Sequence, residues 1–330
     1  MNVKKHVFEF KKIFDFKLER FLLKKESQAK KLAPGYSQAI AEIRRLNRAG
    51  GKRLRPFFIW TGFKACQGRN DNLAWQACLS MELDEAFALL HDDIMDNARL
   101  RRGKLTCYQK LGLNKAILVG DVALALAEEI IPQKAKPYFD LMNFELIGGQ
   151  YLDVSRDKGF NESKVTKIME LKTAMYTIAR PLQIGGALAG ADKKTLDAFY
   201  SYGKNLGIAF QIQDDILGIF GDKETLGKPV GSDIAEGKKT LLMARRLKDQ
   251  RHKLKIKDFF DFFGSGSKIT KQQLKLTRNL LKESGALKYC QQKAVYLAKL
   301  AKKAVVKLKI RQTEKEFLLQ IGDYVITRNN

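Results

Sequence analysis

The stretch Leu89-Leu90-His91-Asp92-Asp93-Ile94-Met95-Asp96 ends an apolar run with three carboxylates at relative positions i, i+1 and i+4. On a helix the first and third share a face, and the second lies about 100° around from the first. Negative charges this close repel one another unless a cation neutralises them. Their oxygens suit Mg²⁺, which takes one or two carboxylates and leaves room for phosphate oxygens. Taken alone, the string is equally compatible with a solvated acidic helix end.

A second acidic pair shifts the balance towards a metal site. The segment Phe210-Gln211-Ile212-Gln213-Asp214-Asp215-Ile216-Leu217-Gly218 again places Asp-Asp at the end of an apolar helical run. Two such motifs could face each other across a helical bundle and hold Mg²⁺ ions between them. The ligand bridged by those ions would most naturally be a diphosphate, because it offers many hard oxygens.

Composition limits the class of protein and its partners. A chain of 330 residues forms one large domain or two small ones. The net charge of +25 favours anionic partners, namely nucleic acid, anionic lipid or phosphorylated substrates. The four cysteines form no CxxC pair, which predicts free thiols in a reducing compartment. With no signal-peptide pattern and no apolar run long enough to span a bilayer, we expect a cytoplasmic protein.

Residues 1–31 carry ten Lys or Arg against four Asp or Glu, with apolar residues near helical spacing. One interpretation is a basic amphipathic helix that makes transient contact with a membrane surface. The other is a first helix packed on the body of the protein with a solvated lysine face. We favour the second, because Glu9, Asp15 and Glu19 lie among the lysines.

Basic, glycine-containing segments lie near the acidic motifs. Gly50-Gly51-Lys52-Arg53-Leu54-Arg55-Pro56 allows close approach of backbone to an anion that Lys52 and Arg55 grip. Arg99-Leu100-Arg101-Arg102-Gly103 follows the first motif directly and could bridge a metal-bound diphosphate. The Gly- and Lys-rich segment from Gly221 to Gly237 is typical of a lid over a phosphate, although its spacing is not that of a P-loop.

Helical periodicity dominates the chain, and strand alternation is scarce. We predict helices at about 75–95, 116–131, 138–154 and 196–220, and a helical run containing Lys172 and Thr173 that ends before Pro181. A turn is predicted at 264–267. The chain is therefore predicted to be all-α, a single domain over 1–330 with a basic N-terminal helix at 1–31.

The chain resembles the trans-isoprenyl diphosphate synthase family, also called polyprenyl synthetases, through six motifs in the family's order. These are Gly-Gly-Lys-Arg-Leu-Arg-Pro (50–56), Asp-Asp-Ile-Met-Asp (92–96), Arg-Arg-Gly (101–103), Gly-Gln-x-x-Asp (149–153), Lys-Thr (172–173) and Phe-Gln-x-x-Asp-Asp (210–215). The resemblance implies an all-α bundle around a deep central cavity, normally a homodimer.

The resemblance also implies a role for each matching residue. Mg²⁺ would be bound by Asp92, Asp93 and Asp96, with Asp214 opposite them and Asp215 beside it. The allylic diphosphate would be held by Arg101, Lys172, Lys228 and Lys238. Isopentenyl diphosphate would be held by Gly51, Lys52, Arg55 and Arg102. Thr173 and Gln211 would line the place where the allylic cation forms, and catalytic roles would fall on Lys172, Thr173, Gln211, Arg101, Lys228 and Lys238.

The sequence departs from the family pattern at two positions. Gly218 stands where many members carry the third Asp of the second motif, and Asp222 lies four residues further on. If Asp222 does not substitute, restoring the carboxylate with Gly218→Asp should raise the rate or tighten the Mg²⁺ dependence. Glu85 stands where the family usually has His or Gln. An ionised Glu cannot donate to phosphate, so it could pair with Lys52, Arg55 or Arg102 instead.

The reaction implied is condensation of isopentenyl diphosphate with an allylic diphosphate, with Mg²⁺ assisting ionisation. Phe87, five residues before Asp92, resembles the floor residue of members that make geranylgeranyl diphosphate, and Ala88 is small. The expected product is therefore geranylgeranyl diphosphate, with farnesyl diphosphate as the alternative.

Other classes of protein remain as alternatives. They are a non-catalytic regulatory subunit of a partner synthase and a class I terpene cyclase. A nucleic-acid binder is suggested by charge alone, and we expect no nucleic-acid partner.

Overall fold

The computed structural model describes residues 3–155, 161–221, 230–248 and 259–327. The prediction of an all-α fold is confirmed. The helices are α1 (Val3–Leu32), α2 (Ser37–Arg48), α3 (Leu54–Ala65), α4 (Asp71–Met95), α5 (Cys107–Leu111), α6 (Leu113–Ile130), α7 (Lys136–Val154), α8 (Glu162–Ile168), α9 (Arg180–Leu188), α10 (Lys193–Phe220), α11 (Ser232–Ala235), α12 (Leu241–Lys248), α13 (Lys271–Glu283), α14 (Ala286–Val306) and α15 (Gln312–Thr327).

Shorter elements complete the described part of the chain. A 3-10 turn covers Pro34–Tyr36, and a π-helical segment, Met169–Ala179, joins α8 to α9. The strands in the described ranges are β1 (Leu100–Arg101) and β2 (Lys104–Leu105), which pair antiparallel. Among the helices described, none combines the length and the hydropathy that crossing a bilayer requires.

The predicted helices are found within a few residues of their expected ends. The turn expected at 264–267 lies slightly earlier, at 261–264, with a bend at 267. One expectation is wrong, because the helical run through Lys172 does not end before Pro181. It continues into α9, where Pro181 is the second residue. Proline has no N–H to donate, and it stands next to the change from π to α winding at Arg180, where the hydrogen-bond pattern of the helix shifts.

By internal contacts the chain divides into two compact units. Unit 1 comprises 1–141, 180–196 and 310–314, and unit 2 comprises 142–179, 197–309 and 315–330. The single domain predicted over 1–330 therefore stays a prediction.

In unit 1, α1 lies against α2, α3 and α4. Its buried residues Phe10, Phe14, Leu18 and Leu22 recur every fourth position, as one face of a helix requires. The Phe10 ring stacks on Trp75, 5.4 Å between centroids, and Trp75 stacks on Trp60 at 4.4 Å.

In unit 2, the carboxylate of Glu162 joins three helices. Glu162 opens α8, where Asn161 caps the helix by accepting from the Lys164 amide at 2.9 Å. Its oxygens accept from Tyr289 Oη and from Lys293 Nζ at 2.9 Å, both on α14, and from Lys248 Nζ at 3.3 Å, on α12. Partial burial by itself would raise the pKa of Glu162, but these donors outweigh it and lower the pKa to about 2. Glu162 therefore contributes to stability in its ionised form.

Replacing this carboxylate should give a pH-dependent loss of stability. At neutral pH we expect Glu162→Gln to lower the free energy of unfolding by roughly 1–3 kcal/mol, because charge-assisted hydrogen bonds are lost. The folded pKa lies below the unfolded value, so the contribution of Glu162 is complete above about pH 4.5 and is lost as the pH falls towards 2. Urea titrations of wild type and variant should therefore converge over that range.

The matched control is Glu129→Gln, which breaks an exposed ion pair with Lys25. Exposed pairs contribute about 0–1 kcal/mol, so the control should stay close to wild type. A constant gap between Glu162→Gln and wild type from pH 7 to pH 2 would contradict the assignment.

Candidate active site

In the loop before α3, one residue with left-handed backbone directs its basic side chain differently from the basic side chains beside it. Gly50 and Gly51 precede Arg53, which has a φ of 52° and a ψ of 33° and is the residue before the first turn of α3. The Arg53 side chain is buried, Lys52 is exposed and Arg55 is half-buried. Lys52 and Arg55, the two basic side chains of this loop that are predicted to bind isopentenyl diphosphate, are therefore accessible to a ligand of unit 1.

Arg53 holds this loop in place. Its guanidinium donates to Asp15 Oδ1 at 2.8 Å, to the Asn47 carbonyl at 2.7 Å and to Asn47 Oδ1 at 3.2 Å, and it pairs with Glu82 on α4. Burial raises the pKa of Glu82, although Arg53 opposes that shift. Every guanidinium nitrogen of Arg53 thus has a partner inside the protein, so its role is to anchor the loop between α1, α2 and α4.

Glu85 pairs with Arg55, one of the three cationic partners that the sequence left open. Arg55 Nη1 donates to Glu85 Oε1 at 2.9 Å, which places this ion pair between α3 and α4. A carboxylate accepts hydrogen bonds and orients the guanidinium that faces it. Glu85 therefore positions Arg55 and needs no direct contact with a phosphate.

The chain reverses sharply after the first acidic motif. At the end of α4, Asn97 has a φ of 51°, and the Ala98 amide donates to the Asp93 carbonyl at 2.9 Å. With the Asn97 amide donating to the Ile94 carbonyl at 3.2 Å, this is a Schellman ending. The β1–β2 hairpin follows, and its turn residues Arg102 and Gly103 both have positive φ, as a two-residue type I′ turn requires.

This reversal brings Arg101 onto the carboxylates. Arg101 Nε donates to Asp93 Oδ1 at 2.7 Å, and its Nη2 lies 3.4 Å from Asp92 Oδ2. Asp93 is buried, so desolvation raises its pKa against the opposing effect of Arg101. Asp96 is the exposed residue that caps α4. Arg102 projects towards the glycine loop, where a Cβ on Gly51 would lie 3.4 Å from Arg102 Nη2.

In unit 2, the predicted residues of the π-helical segment contact α7 and α10. Lys172 Nζ donates to Asp153 Oδ2 at 2.7 Å, so the Lys-Thr and Gly-Gln-x-x-Asp motifs meet. Thr173 Oγ1 donates to Gln211 Oε1 at 2.9 Å, and Gln211 Nε2 donates to Asp215 Oδ1 at 2.8 Å. π-helical winding is rare and occurs frequently at functional sites.

Lys238 lies beside the second acidic motif. Its Nζ lies 3.6 Å from Asp215 Oδ1 and 4.0 Å from Asp233 Oδ2, and its amide donates to the Asp233 carbonyl at 2.8 Å. Burial raises the pKa of Asp215 to about 6, although Lys238 and Gln211 act in the opposite direction. Asp214, the other predicted ligand on this helix, is half-buried beside it. Lys228 and Asp222 lie outside the described residues.

The carboxylate of Asp233 occupies the space that a side chain on Gly218 would need. A Cβ built on Gly218 would stand 2.7 Å from Asp233 Oδ2, and the Gly231 amide donates to the Gly218 carbonyl at 3.0 Å. Asp233 is buried on the short helix α11, which interrupts the predicted lid segment. The position that lacks an Asp in the sequence is therefore supplied with a carboxylate from another element.

Arg53 and Asp233 have no role that could be assigned from the sequence pattern. Arg53 belongs to the same motif as Lys52 and Arg55. Its left-handed backbone directs its side chain inward, and an arginine in the sequence does not indicate that backbone conformation. Asp233 lies in a Gly- and Lys-rich segment, where one acid among cations is an ordinary observation. The contact that Asp233 makes is with Gly218, and a glycine has no side chain that could indicate such a contact in the sequence.

The donor set in each unit fits Mg²⁺ and phosphate. Asp92 and Asp93 offer hard oxygens with Arg101 in contact, and Asp214 and Asp215 do so with Lys238 nearby. Among the described residues, no group of three or more His, Cys, Asp or Glu side chains is arranged to hold a metal by itself. Mg²⁺ is commonly bound by one or two carboxylates together with phosphate oxygens and water, so a metal at either motif would share its coordination with the ligand.

Comparison with known proteins identifies the class to which this fold and these motifs belong. The family model of polyprenyl synthetase matches residues 37–275. The chain therefore belongs to the polyprenyl synthetase family and is an isoprenyl diphosphate synthase, a prenyltransferase.

Two relatives place the chain within that family. It is similar to the geranylgeranyl diphosphate synthase of Methanosarcina mazei, with 35% identity over 291 residues, 85% of this chain and 86% of that protein. It is also similar to the geranylgeranyl pyrophosphate synthase of Corynebacterium glutamicum, solved in complex with isoprenyl diphosphate and magnesium. That match has a TM-score of 0.89 and 29% identity, and it covers 99% of this chain and 100% of that one.

Proposed function

We propose that the protein condenses isopentenyl diphosphate with an allylic diphosphate and that its product is geranylgeranyl diphosphate. The observation that carries the proposal is the contact of Arg101 with Asp92 and Asp93, which places a guanidinium and two carboxylates at the end of one helix. Carboxylates alone would repel a diphosphate, whereas this group can bind one with Mg²⁺. The names of the relatives above support the C20 product.

We assign the metal to Asp92, Asp93 and Asp96 and to Asp214 and Asp215. When bound, Mg²⁺ would neutralise charge on the diphosphate and assist departure of that group. Arg101, Lys172, Lys228 and Lys238 would hold the allylic diphosphate by charge-assisted hydrogen bonds.

Gly51, Lys52, Arg55 and Arg102 would hold isopentenyl diphosphate. Arg53 and Glu85 keep this second group in place through the contacts described above. No protein base is assigned to the final proton transfer, because the released diphosphate can accept that proton.

We propose a homodimer in the cytoplasm. Helix α6 of unit 1 exposes Leu113, Ile117 and Leu118, and α7 in unit 2 exposes Phe144 and Tyr151. Exposed apolar side chains of this size are typical of protein interfaces. Free thiols at Cys66, Cys78, Cys107 and Cys290 support a reducing compartment.

Product length should respond to two neighbouring residues of α4. Ala88 is one turn before Asp92, and the half-buried Phe87 ring packs against His91 at 4.9 Å between centroids. We expect the growing chain to run along α4 from the carboxylates towards its N-terminal end, about 1.5 Å per residue. Phe87→Ser should lengthen the product, because a bulky ring is removed. Ala88→Phe should shorten it towards C15, because a ring would then stand one turn below Asp92.

The measurement is chromatography of products made from labelled isopentenyl diphosphate, each allylic primer and Mg²⁺. Wild type should yield mainly C20. Tyr296→Ser, which removes an exposed ring from α14, should leave the distribution unchanged. If neither α4 variant alters product length, Phe87 is not the floor. If wild type makes no product from any primer, the proposed function itself is wrong.

A further inference from the structure

Helix α1 has a second apolar surface in addition to the face that packs on unit 1. The outward side of the helix carries bulky residues whose exposed fractions are 68% for Phe8, 51% for Ile13, 64% for Phe16 and 46% for Leu23. Phe8, Phe16 and Leu23 are spaced by eight and seven residues, so they form one stripe along the helix. An ordinary solvated face would carry short polar or charged side chains at these positions.

Three of the four acidic residues of α1 pair with arginines of unit 1. Arg53 Nε donates to Asp15 at 2.8 Å, and Arg48 Nη2 donates to Glu19 at 2.6 Å. Arg44 contacts Glu26, with 2.9 Å between Nε and Oε2. Partial burial alone would raise the pKa of Glu19, but Arg48 and Arg44 lower it, so this acid stays ionised in its pairs. Of the acids that made a solvated lysine face the preferred interpretation, Asp15 and Glu19 therefore neutralise arginines of unit 1, whereas Glu9 is exposed.

The remaining charge on the outward side is mainly positive. Lys5, Lys12, Arg20, Lys24, Lys30 and Lys31 are exposed around the stripe. Among the described residues of α1, the carboxylate that shares this exposed side is that of Glu9. The outward face of this 30-residue helix thus combines exposed aromatic side chains with cationic side chains that surround them.

We propose that this outward face of α1 binds the surface of a membrane that contains anionic lipids, with the helix lying in the plane of the surface. Phe8, Ile13, Phe16 and Leu23 would enter the boundary between head groups and acyl chains. The surrounding lysines and arginines would contact the anionic head groups. Interfacial helices bind through this combination of buried apolar area and electrostatic attraction.

The stripe favours lipid over nucleic acid as the occupant. A nucleic-acid surface attracts the cations equally, but it offers no apolar region for aliphatic Ile13 and Leu23. Binding is independent of which prenyl chain the enzyme makes, because no residue of the outward face belongs to the candidate active site. Activity on soluble substrates should therefore be unchanged in variants of this face.

Co-sedimentation of the full chain with vesicles tests the proposal. Wild type should bind vesicles of equal parts phosphatidylcholine and phosphatidylglycerol, bind pure phosphatidylcholine far less, and lose affinity as salt rises. Phe8→Ser combined with Phe16→Ser should weaken binding about tenfold or more, since both rings lose their apolar burial. Lys12→Gln with Arg20→Gln and Lys24→Gln should weaken it and reduce its dependence on salt.

The matched control is Tyr296→Ser, which removes an exposed ring from the lysine-rich helix α14 and should bind vesicles as wild type does. Several outcomes would overturn the proposal. The proposal fails if wild type does not bind anionic vesicles, or if the variant with Phe8→Ser and Phe16→Ser binds them as tightly as wild type. It also fails if wild type binds a random RNA as tightly as it binds vesicles. A change of oligomeric state in the ring variant would also overturn it, because the face would then contact a second copy of the chain.

Discussion

Asp93→Asn should leave a folded protein whose turnover is lower by a factor on the order of a thousand. Asparagine has nearly the shape of aspartate, and its oxygen can still accept from Arg101 at this buried position. The change removes a negative charge from the group proposed to bind Mg²⁺. We expect stabilisation of the departing diphosphate to supply most of the rate enhancement, and losing one of its elements costs about 10²–10³ in rate in well-studied sites.

The measurement is incorporation of labelled isopentenyl diphosphate at saturating substrate, together with a thermal melt of each protein. Asp71→Ala is the matched control, because it removes an exposed carboxylate from the first turn of the same helix. The control should lose less than twofold in turnover. Chelation with EDTA should abolish activity in wild type. Ordinary turnover by folded Asp93→Asn would refute the metal assignment.

Gly218→Asp should harm the enzyme, although the sequence pattern alone suggests a gain. A Cβ at position 218 would stand 2.7 Å from Asp233 Oδ2, closer than side-chain carbons approach such atoms. The new carboxylate would also crowd two buried acids, Asp233 and Asp215. We expect a loss of roughly 1–3 kcal/mol in the free energy of unfolding. Turnover should fall at least about tenfold, because Lys238 is placed by these same acids.

A double-mutant cycle separates this mechanism from a general loss of stability. Asp233→Ala creates space, so Gly218→Asp with Asp233→Ala should be more active and more stable than Gly218→Asp alone. Gly218→Ala and Gly148→Ala form a matched pair, because no atom lies within 4 Å of a Cβ on Gly148. Alanine at 148 should be neutral or stabilising, whereas alanine at 218 should destabilise. Strict additivity in the cycle, or a faster Gly218→Asp enzyme, would contradict the contact between the two positions.

The helices that carry the motifs could be predicted from the sequence because their apolar periodicity is strong. The helix of the first motif was expected from about residue 75, where the apolar run begins, but it begins at Asp71. An acid in the first turn interacts favourably with the positive end of the helix dipole, and this adds a turn that hydrophobic pattern does not report. The pairs Arg101–Asp93 and Lys172–Asp153 join residues of motifs that the sequence had already selected.

What the sequence could not predict depends on backbone direction and on contacts made by small residues. Arg53 and Arg55 are two residues apart in one basic motif, yet one anchors the loop and the other faces Glu85. The left-handed backbone of Arg53, just before α3, determines that Arg53 is the one that anchors the loop. The outward stripe of α1 is a similar case, because composition counts the acids of a helix but does not say which arginines they pair with.

The hydrogen bonds from Thr173 through Gln211 to Asp215 have a fixed direction. An ionised carboxylate only accepts, so the amide of Gln211 must present its nitrogen to Asp215 and its oxygen to Thr173. The single hydroxyl proton of Thr173 is then committed to Gln211. The Thr173 oxygen is left with lone pairs only, and the dipoles of the whole row point their negative ends the same way. The negative end of the row, at Thr173, therefore attracts an electron-deficient carbon, and it has no hydrogen to donate to a phosphate.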